Sequence, residues 1–255
     1  MDFTGTLERG AKELGIDLDS RVLGLLGRYY EEIVEWSGRV NLTAIEGEEE
    51  AAVKHFLDSL TCLLAVDLAG GSSVVDVGSG AGFPGVVLKV ARPRIKLTLV
   101  EASRKRAEFL EHVVGVLGLG DVQVIWDRAE RVGRAAEHRE TYDVATARAV
   151  AEMAVLAELC LPLVRTGGVL VAQKGPGASE EMEAAAAAVD AMGGRVERLT
   201  RVSLPLGYGE RMLVVIAKGS PTPDRYPRRP GIPGKRPIKT RQMGVARTIP
   251  AIDVD

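Results

Sequence analysis

The stretch Ser72-Ser-Val-Val-Asp-Val-Gly-Ser-Gly-Ala-Gly-Phe-Pro-Gly85 restricts the possible folds of this chain more than any other. Residues 74–77 read as a short buried strand. Glycines follow at 78, 80, 82 and 85, and Val-Val-Leu-Lys-Val then opens a helix. A strand that turns sharply into a helix leaves backbone N–H groups aimed above the sheet. Glycine lets a ligand approach that backbone and allows dihedrals that a side chain forbids. This is a nucleotide-shaped βα turn, although a glycine-rich turn without a ligand would look the same. The dinucleotide pattern G-x-G-x-x-G would need glycine at 83, where the chain has Phe83.

Two helices precede this turn, at 6–15 and 19–37, with Val22, Leu25, Leu26, Tyr29, Ile33 and Trp36 at helical spacing in the second. Asp19 and Ser20 suit its N-cap and Gly38 its end. A non-helical connection over 39–45 leads to a third helix over 48–65. Its apolar stripe is Val53, Phe56, Leu57, Leu60, Leu63 and Leu64. His55, Asp58 and Cys62 fall opposite, with Lys54 at the edge. That polar side is either a solvated helix face or a site-facing His/Asp pair, since side chains three apart can reach one substrate.

After the glycine turn, strands are expected at 96–100, 122–126, 142–146 and 168–173, each followed by a helix. The last two strands, 195–203 and 212–217, are joined by a short polar connection and pair as a hairpin. The expected architecture is α/β with a seven-stranded, mostly parallel sheet, an antiparallel terminal hairpin and an N-terminal helical extension. The boundaries expected are 1–66 for the extension, 67–218 for the main domain and 219–255 for a tail. A dehydrogenase would more often continue into a separate catalytic domain.

The G-x-G-x-G spacing and this strand pattern resemble S-adenosylmethionine-dependent methyltransferases of the Rossmann-like class I. Glu101, 21 residues after Gly80 and at the end of the second strand, can accept both ribose hydroxyls of an adenosine. It would serve NAD or S-adenosylmethionine equally. Asp76, inside the first strand, either orients the glycine loop or approaches the methionine ammonium through water. Arg128-Ala-Glu130 opens the helix after the third strand, which in this class lies beside the adenine.

The nucleophile is narrowed by elimination. Enzymes methylating exocyclic amines carry an Asn/Asp-Pro-Pro-aromatic turn after the fourth strand, where this chain has Thr146-Ala-Arg-Ala-Val150. Carbon-5 pyrimidine chemistry needs a loop cysteine, whereas Cys160 sits in a helical Leu-Cys-Leu and reads as core. Ribose 2′-O methylation commonly uses a Lys-Asp-Lys-Glu set. Lys174 is suitably placed for it, but the fourth strand offers Arg148 and no Asp. An acceptor with its own lone pair, such as guanine N7, remains.

Asn41-Leu-Thr-Ala, His55-x-x-Asp58-Ser, Asp76-Val-Gly-Ser-Gly-Ala-Gly-Phe-Pro-Gly, Ala147-Arg-Ala149, Lys174-Gly and Glu210-Arg-x-Leu213 occur in this order. Together they resemble the bacterial small-subunit rRNA guanine-N7 methyltransferases, also called glucose-inhibited division protein B, over about residues 20–217. That resemblance implies methylation of a guanine in the 530 loop of 16S rRNA, with S-adenosylmethionine as cofactor. Gly78, Phe83, Ala129, Glu130 and Arg148 match the family's cofactor-binding positions, with Glu101 at the ribose position, and the loop reading adds Asp76, Gly80 and Gly82. The resemblance places Arg148, Lys174, Arg211, His55 and Asp58 around the target pocket, with no metal. The implied partner is 16S rRNA, the 30S subunit or an assembly intermediate. Competing readings are a same-fold methyltransferase for a small molecule or protein, and a non-catalytic rRNA-binding assembly factor.

Charge and composition set the surroundings. The chain has 46% hydrophobic and 27% charged residues, and no apolar run of membrane-spanning length, so a cytoplasmic monomer is expected. Two cysteines, Cys62 and Cys160, suggest neither a disulfide framework nor a zinc site. From Gly219 onward eight Lys/Arg face three Asp, so the tail is near +5 and the remainder near −7. Seven of the twelve prolines lie between 221 and 250, which reads as an extended, partly mobile segment with no packed element. That tail either contacts RNA phosphates or is a solubilising end.

Overall fold

The central strand β1 (Ser73–Val77) shows in its own residues how the domain is layered. Val74 enters one apolar core, and Val75 and Val77 enter another on the opposite face. A strand apolar on both sides belongs in the middle of a sheet covered by helices on both faces. The computed structural model describes residues 2–44 and 47–239, together with the backbone of 251–253. Ile45, in the expected connection, and most of the segment after Lys239 lie outside the described residues.

In chain order, α1 (Phe3–Glu13) and α2 (Ser20–Ser37) come first, N-capped by the carboxylates of Asp2 and Asp19. The α3 rod follows. It consists of α-helical Glu48–Ala51, a π-helical turn over Ala52–Leu57, and further α-helical turns over Asp58–Leu60 and Cys62–Ala65. Then come β1, α4 (Gly85–Ala91), β2 (Lys96–Glu101), α5 (Arg104–Val116) and β3 (Val122–Trp126). The single-turn α6 (Ala129–Val132) leads to β4 (Tyr142–Arg148), α7 (Met153–Cys160) and β5 (Val164–Lys174). The remainder is α8 (Ala178–Ala191), β6 (Gly194–Ser203), β7 (Glu210–Lys218), the short α9 (Ile232–Lys235) and β8 (Ala251–Asp253).

The strand order is β3-β2-β1-β4-β5-β7-β6-β8. The first five strands pair in parallel, and β7 lies antiparallel to β5 and β6. The seven expected strands are present with their hairpin, and this is the order of a Rossmann-like methyltransferase sheet. The eighth strand, not expected from sequence, adds parallel to β6 through Leu199↔Ala251 and its neighbours. The chain runs outward from β1 to β3 and returns to β4, so β1 and β4 meet at a switch point where ligands bind in open α/β sheets.

The N-terminal helices share the first core with α4 and α5, through Leu7, Tyr29, Phe56, Leu88, Phe109 and Leu110. The second core joins α7 and α8 to the opposite sheet face and contains Cys160, as expected. Cys62 is fully buried as well, and burial pushes both thiols well up.

Three expectations change. The polar side of α3 is not a solvated face, because Asp58, Ser59, Thr61 and Cys62 are all buried, while Leu63 and Leu64 on the expected apolar stripe are only half-buried. The π turn rotates the following residues relative to a regular helix, which is why the helical-wheel reading fails past Leu57. The helix after β3 lasts one turn. Finally, residues 219–239 are not a loose tail but a strap packed on α6, α7 and the end of β7. Half-buried Arg139 donates to the carbonyls of Thr222 and Tyr226, and Arg134 to those of Arg225 and Pro227.

Candidate active site

The glycine loop is built by φ values that only glycine adopts cheaply: +71° at Gly78, +59° at Gly80 and +99° at Gly82. A Cβ on Gly78 would lie 2.7 Å from Val150 Cγ2, so the loop packs directly under the β4–α7 connection. The expectation of free N–H groups fails here. Gly78 and Ser79 donate to the Val100 carbonyl, Gly82 and Phe83 to that of Ser79, Gly80 to Glu101 Oε2 and Gly85 to Asp76 Oδ2. A loop whose amides are bonded inward is not a phosphate cradle of the kind a dinucleotide requires. It suits a cofactor that carries no phosphate.

Asp76 is fully buried. It accepts from Gly85 N at 3.1 Å and from Thr146 Oγ1 at 3.0 Å. Burial raises its pKa to about 6 against the opposing pull of those bonds. Of the two roles expected for it, the contacts are those of a residue that orients the loop. Glu101 accepts from Gly80 N at 2.8 Å and Ser103 N at 2.7 Å, which fixes its carboxylate at the end of β2. Fully buried Tyr29 of α2 donates its hydroxyl to the Ala81 carbonyl, so the N-terminal extension holds the loop from behind.

Beside the loop, a cleft of about 260 Å³ lies between the C-terminal ends of β1 and β2, α6 and α7. Gly78, Ala102, Asp127, Ala129, Glu130 and Val150 line it, joined by Gly231, Pro233 and Gly234 of the strap. Its walls are largely apolar with carboxylates at the edge, which fits an adenosine. Ala129 and Glu130 therefore share a cleft with Gly78. Glu130 is nevertheless engaged, accepting from Gly231 N at 2.8 Å.

Phe83 and Arg148 lie on the other side of the loop. Phe83 is buried, and His55 stacks on it at 4.8 Å between ring centres, while the Arg148 guanidinium sits 4.9 Å from the same ring. Arg148, at the end of β4, donates through Nη1 to the Lys54 and His55 carbonyls and to Asp58 Oδ2 at 3.1 Å. The widened π turn of α3 presents those carbonyls. Arg211, at the start of β7, donates Nε to the other Asp58 oxygen at 3.0 Å. Asp58 thus gathers two arginines from two strands, and Gln173 of β5 donates to its backbone carbonyl.

His55 is held neutral. Burial first, and the Arg148 charge second, lower its pKa to about 4, and its Nε2 lies 2.6 Å from Thr43 Oγ1. Lys174 stands apart from this group. It follows Gln173 on β5 and so points to the opposite side of the sheet, where it meets Glu181 Oε1 at 2.7 Å and the Ala151 carbonyl at 2.8 Å. Of the residues expected around the target pocket, His55, Asp58, Arg148 and Arg211 converge and Lys174 does not.

Sequence reasoning missed Tyr29, Thr146, Gln173 and Glu181, all of which act by fixing another site residue. Gln173 was accessible in principle: a polar residue ending an apolar strand, beside Lys174, needs a partner. Among the strap residues the one signal was that Tyr226-Pro-Arg-Arg-Pro-Gly-Ile-Pro233 resembles a segment found in some members of the family named above.

Residues 23–211 match the family described as rRNA small subunit methyltransferase G, or GidB. Ribosomal RNA small subunit methyltransferase G of Pelotomaculum thermopropionicum is 51% identical over 233 residues, covering 91% of this chain and 98% of that protein. The protein of the same name from Symbiobacterium thermophilum is 48% identical over 241 residues, covering 92% and 98%. Identity of this level over nearly the whole of both chains leaves one assignment: this chain belongs to the GidB family of ribosomal RNA small-subunit methyltransferases.

Proposed function

We propose that the chain transfers the methyl group of S-adenosylmethionine to N7 of a guanine in the 530 loop of 16S rRNA. One observation carries the choice of acceptor. Two arginines are positioned beside the glycine loop by Asp58, and no side chain there is matched to remove a proton at neutral pH. His55, with a pKa near 4, is a poor general base, and the Asp76 carboxylate is buried with both oxygens bonded. Guanine N7 already holds an in-plane lone pair and loses no proton on methylation, so positioning alone suffices.

When bound, S-adenosylmethionine supplies an electrophilic methyl on a sulfonium. Gly78, Gly80 and Gly82 shape the loop against it, and Glu101 receives the ribose hydroxyls. Ala129 and Glu130 flank the adenine. Phe83 supports Arg148, which faces the cofactor carboxylate or the substrate. Arg148 and Arg211 address phosphate or the guanine O6, because the product ring is cationic and would repel them. His55 borders the acceptor as a neutral stacking surface, while Lys174, held by Glu181 and the Ala151 carbonyl on the other side of the sheet, stands outside that pocket. The substrate is 16S rRNA as free RNA, the 30S subunit or an assembly intermediate, met by a cytoplasmic monomer. Contacts of Lys and Arg with phosphates make binding weaken steeply with salt.

The test is methylation of 16S rRNA isolated from a strain lacking this modification, with the methylated nucleotide mapped by mass spectrometry. One N7-methylguanine in the 530 loop is expected. Incorporation elsewhere, or into no rRNA at all, would overturn the proposal.

A further inference from the structure

The strap over residues 219–239 reaches the cofactor cleft and is fastened there by two buried carboxylates of the methyltransferase body. Glu158 of α7 is fully buried, and Arg228 of the strap closes on it with three donors. Backbone N and Nε each reach Oε1 at 2.8 Å, and Nη2 reaches Oε2 at 2.5 Å. Three residues further on, Gly231 adopts a φ of +80° and its N–H binds Glu130 Oε1. That turn brings Gly231, Pro233 and Gly234 into the cleft opposite Gly78 and Ala102. At its other end the strap is anchored by Lys218, whose buried ammonium meets Glu140 at 3.0 Å and the Thr222 hydroxyl. A surface tail has no physical reason to bury a bidentate ion pair and a turn at one particular cleft.

We propose that the strap is the outer wall of the cofactor site, with Gly231–Gly234 as a cofactor-binding turn and Arg228–Glu158 as the latch that positions it. This rests on the S-adenosylmethionine reading above. Glu130 then acts through the strap: its carboxylate sets the Gly231 turn, and the turn closes over the ligand. The apolar Pro233 ring and the small Gly231 and Gly234 leave room for a flat aromatic group while excluding water from one face.

The test compares binding of S-adenosylhomocysteine to the full chain and to Arg228→Ala by titration calorimetry. Release of the latch is expected to raise Kd about tenfold. A second measurement needs no substitution: limited trypsin digestion of the wild-type chain with and without saturating S-adenosylhomocysteine. Cleavage after Arg225 and Lys235, inside the strap, should slow several-fold when the cleft is filled. Wild-type binding with an unchanged strap cleavage rate, or with an unchanged Kd in folded Arg228→Ala, would overturn the wall and leave the methyl-donor reading standing. Failure of the wild-type chain to bind S-adenosylhomocysteine would overturn both.

Discussion

Asp58 and Glu158 are both carboxylates with essentially no solvent exposure, both are paired with arginine, and they do opposite things. Asp58 is divided between Arg148 and Arg211, each giving it one nitrogen at about 3 Å. Glu158 is enclosed by a single arginine through its backbone and two guanidinium nitrogens. Sharing one carboxylate between two guanidiniums leaves each with donors for another anion and the group as a whole net positive. Closing one guanidinium on one carboxylate satisfies both charges and leaves nothing for a substrate. The first arrangement positions ligands and the second fastens chain, so burial and ion pairing alone do not identify a functional site. The stoichiometry of the pairing does.

The sharpest way to break this contrast is a pair of substitutions. Arg148→Ala should lower methyl transfer by about a hundredfold or more, because it removes a preorganised charge from the acceptor side. The fold should survive, since Arg211 still neutralises Asp58. Arg228→Ala should instead lower unfolding free energy by about 3 kcal/mol, because it leaves Glu158 buried without a counter-charge. Activity at fixed substrate and urea unfolding, measured on both variants, check the pattern. Equal stability losses in the two would abolish the distinction.

A smaller effect comes from His55, which is stacked beside the Asp58 group. Its folded-state pKa of about 4 lies below the ordinary 6.5, so between those values the unfolded chain binds more protons. The stability this contributes is complete above pH 6.5 and is lost as pH falls toward 4. Asp76 opposes it, since its carboxyl titrates near 6 rather than 3.8 and the folded chain gains stability as pH falls through that range. Comparison with His55→Gln isolates the first contribution. From pH 7 to 4.5 the wild-type chain should lose about 2 kcal/mol more than the variant in urea unfolding. Parallel losses would show that His55 is not held neutral.

The two sides of the site differed in how far they could be read from sequence. The cofactor side is local: strand, glycines and helix are contiguous from Ser73 to Ala91, so spacing alone located the loop and its strand. Even there, the inward bonding of the amides was hidden, because it depends on Val100 and Glu101 from the neighbouring strand. The acceptor side is assembled from α3, β4 and β7, and no short-range pattern links Asp58 to Arg148 or Arg211. Only the resemblance to a family joined them. Whether Asp58 faced solvent or a site stayed open in the sequence, because a π turn has no signature in hydrophobic periodicity. The strap was misread because proline-rich composition argues against regular structure, yet it can dock through arginines that lie elsewhere, at 134 and 139.

The smallest expected effect sharpens the comparison by varying burial at fixed geometry. Arg165 donates Nε to Asp143 at 2.7 Å, as short as the contacts of the Arg228 pair, but its side chain is 50% exposed and that of Asp143 30%. Water stabilises both ions whether or not they meet, and Asp143 keeps its bonds from Ser73 N and Oγ when the guanidinium is removed. Arg165→Ala should therefore cost under about 1 kcal/mol in urea unfolding. If it cost as much as Arg228→Ala, short contact distance rather than desolvation would govern these pairs. Burial of Glu158 would then no longer explain why the strap is fastened where it is.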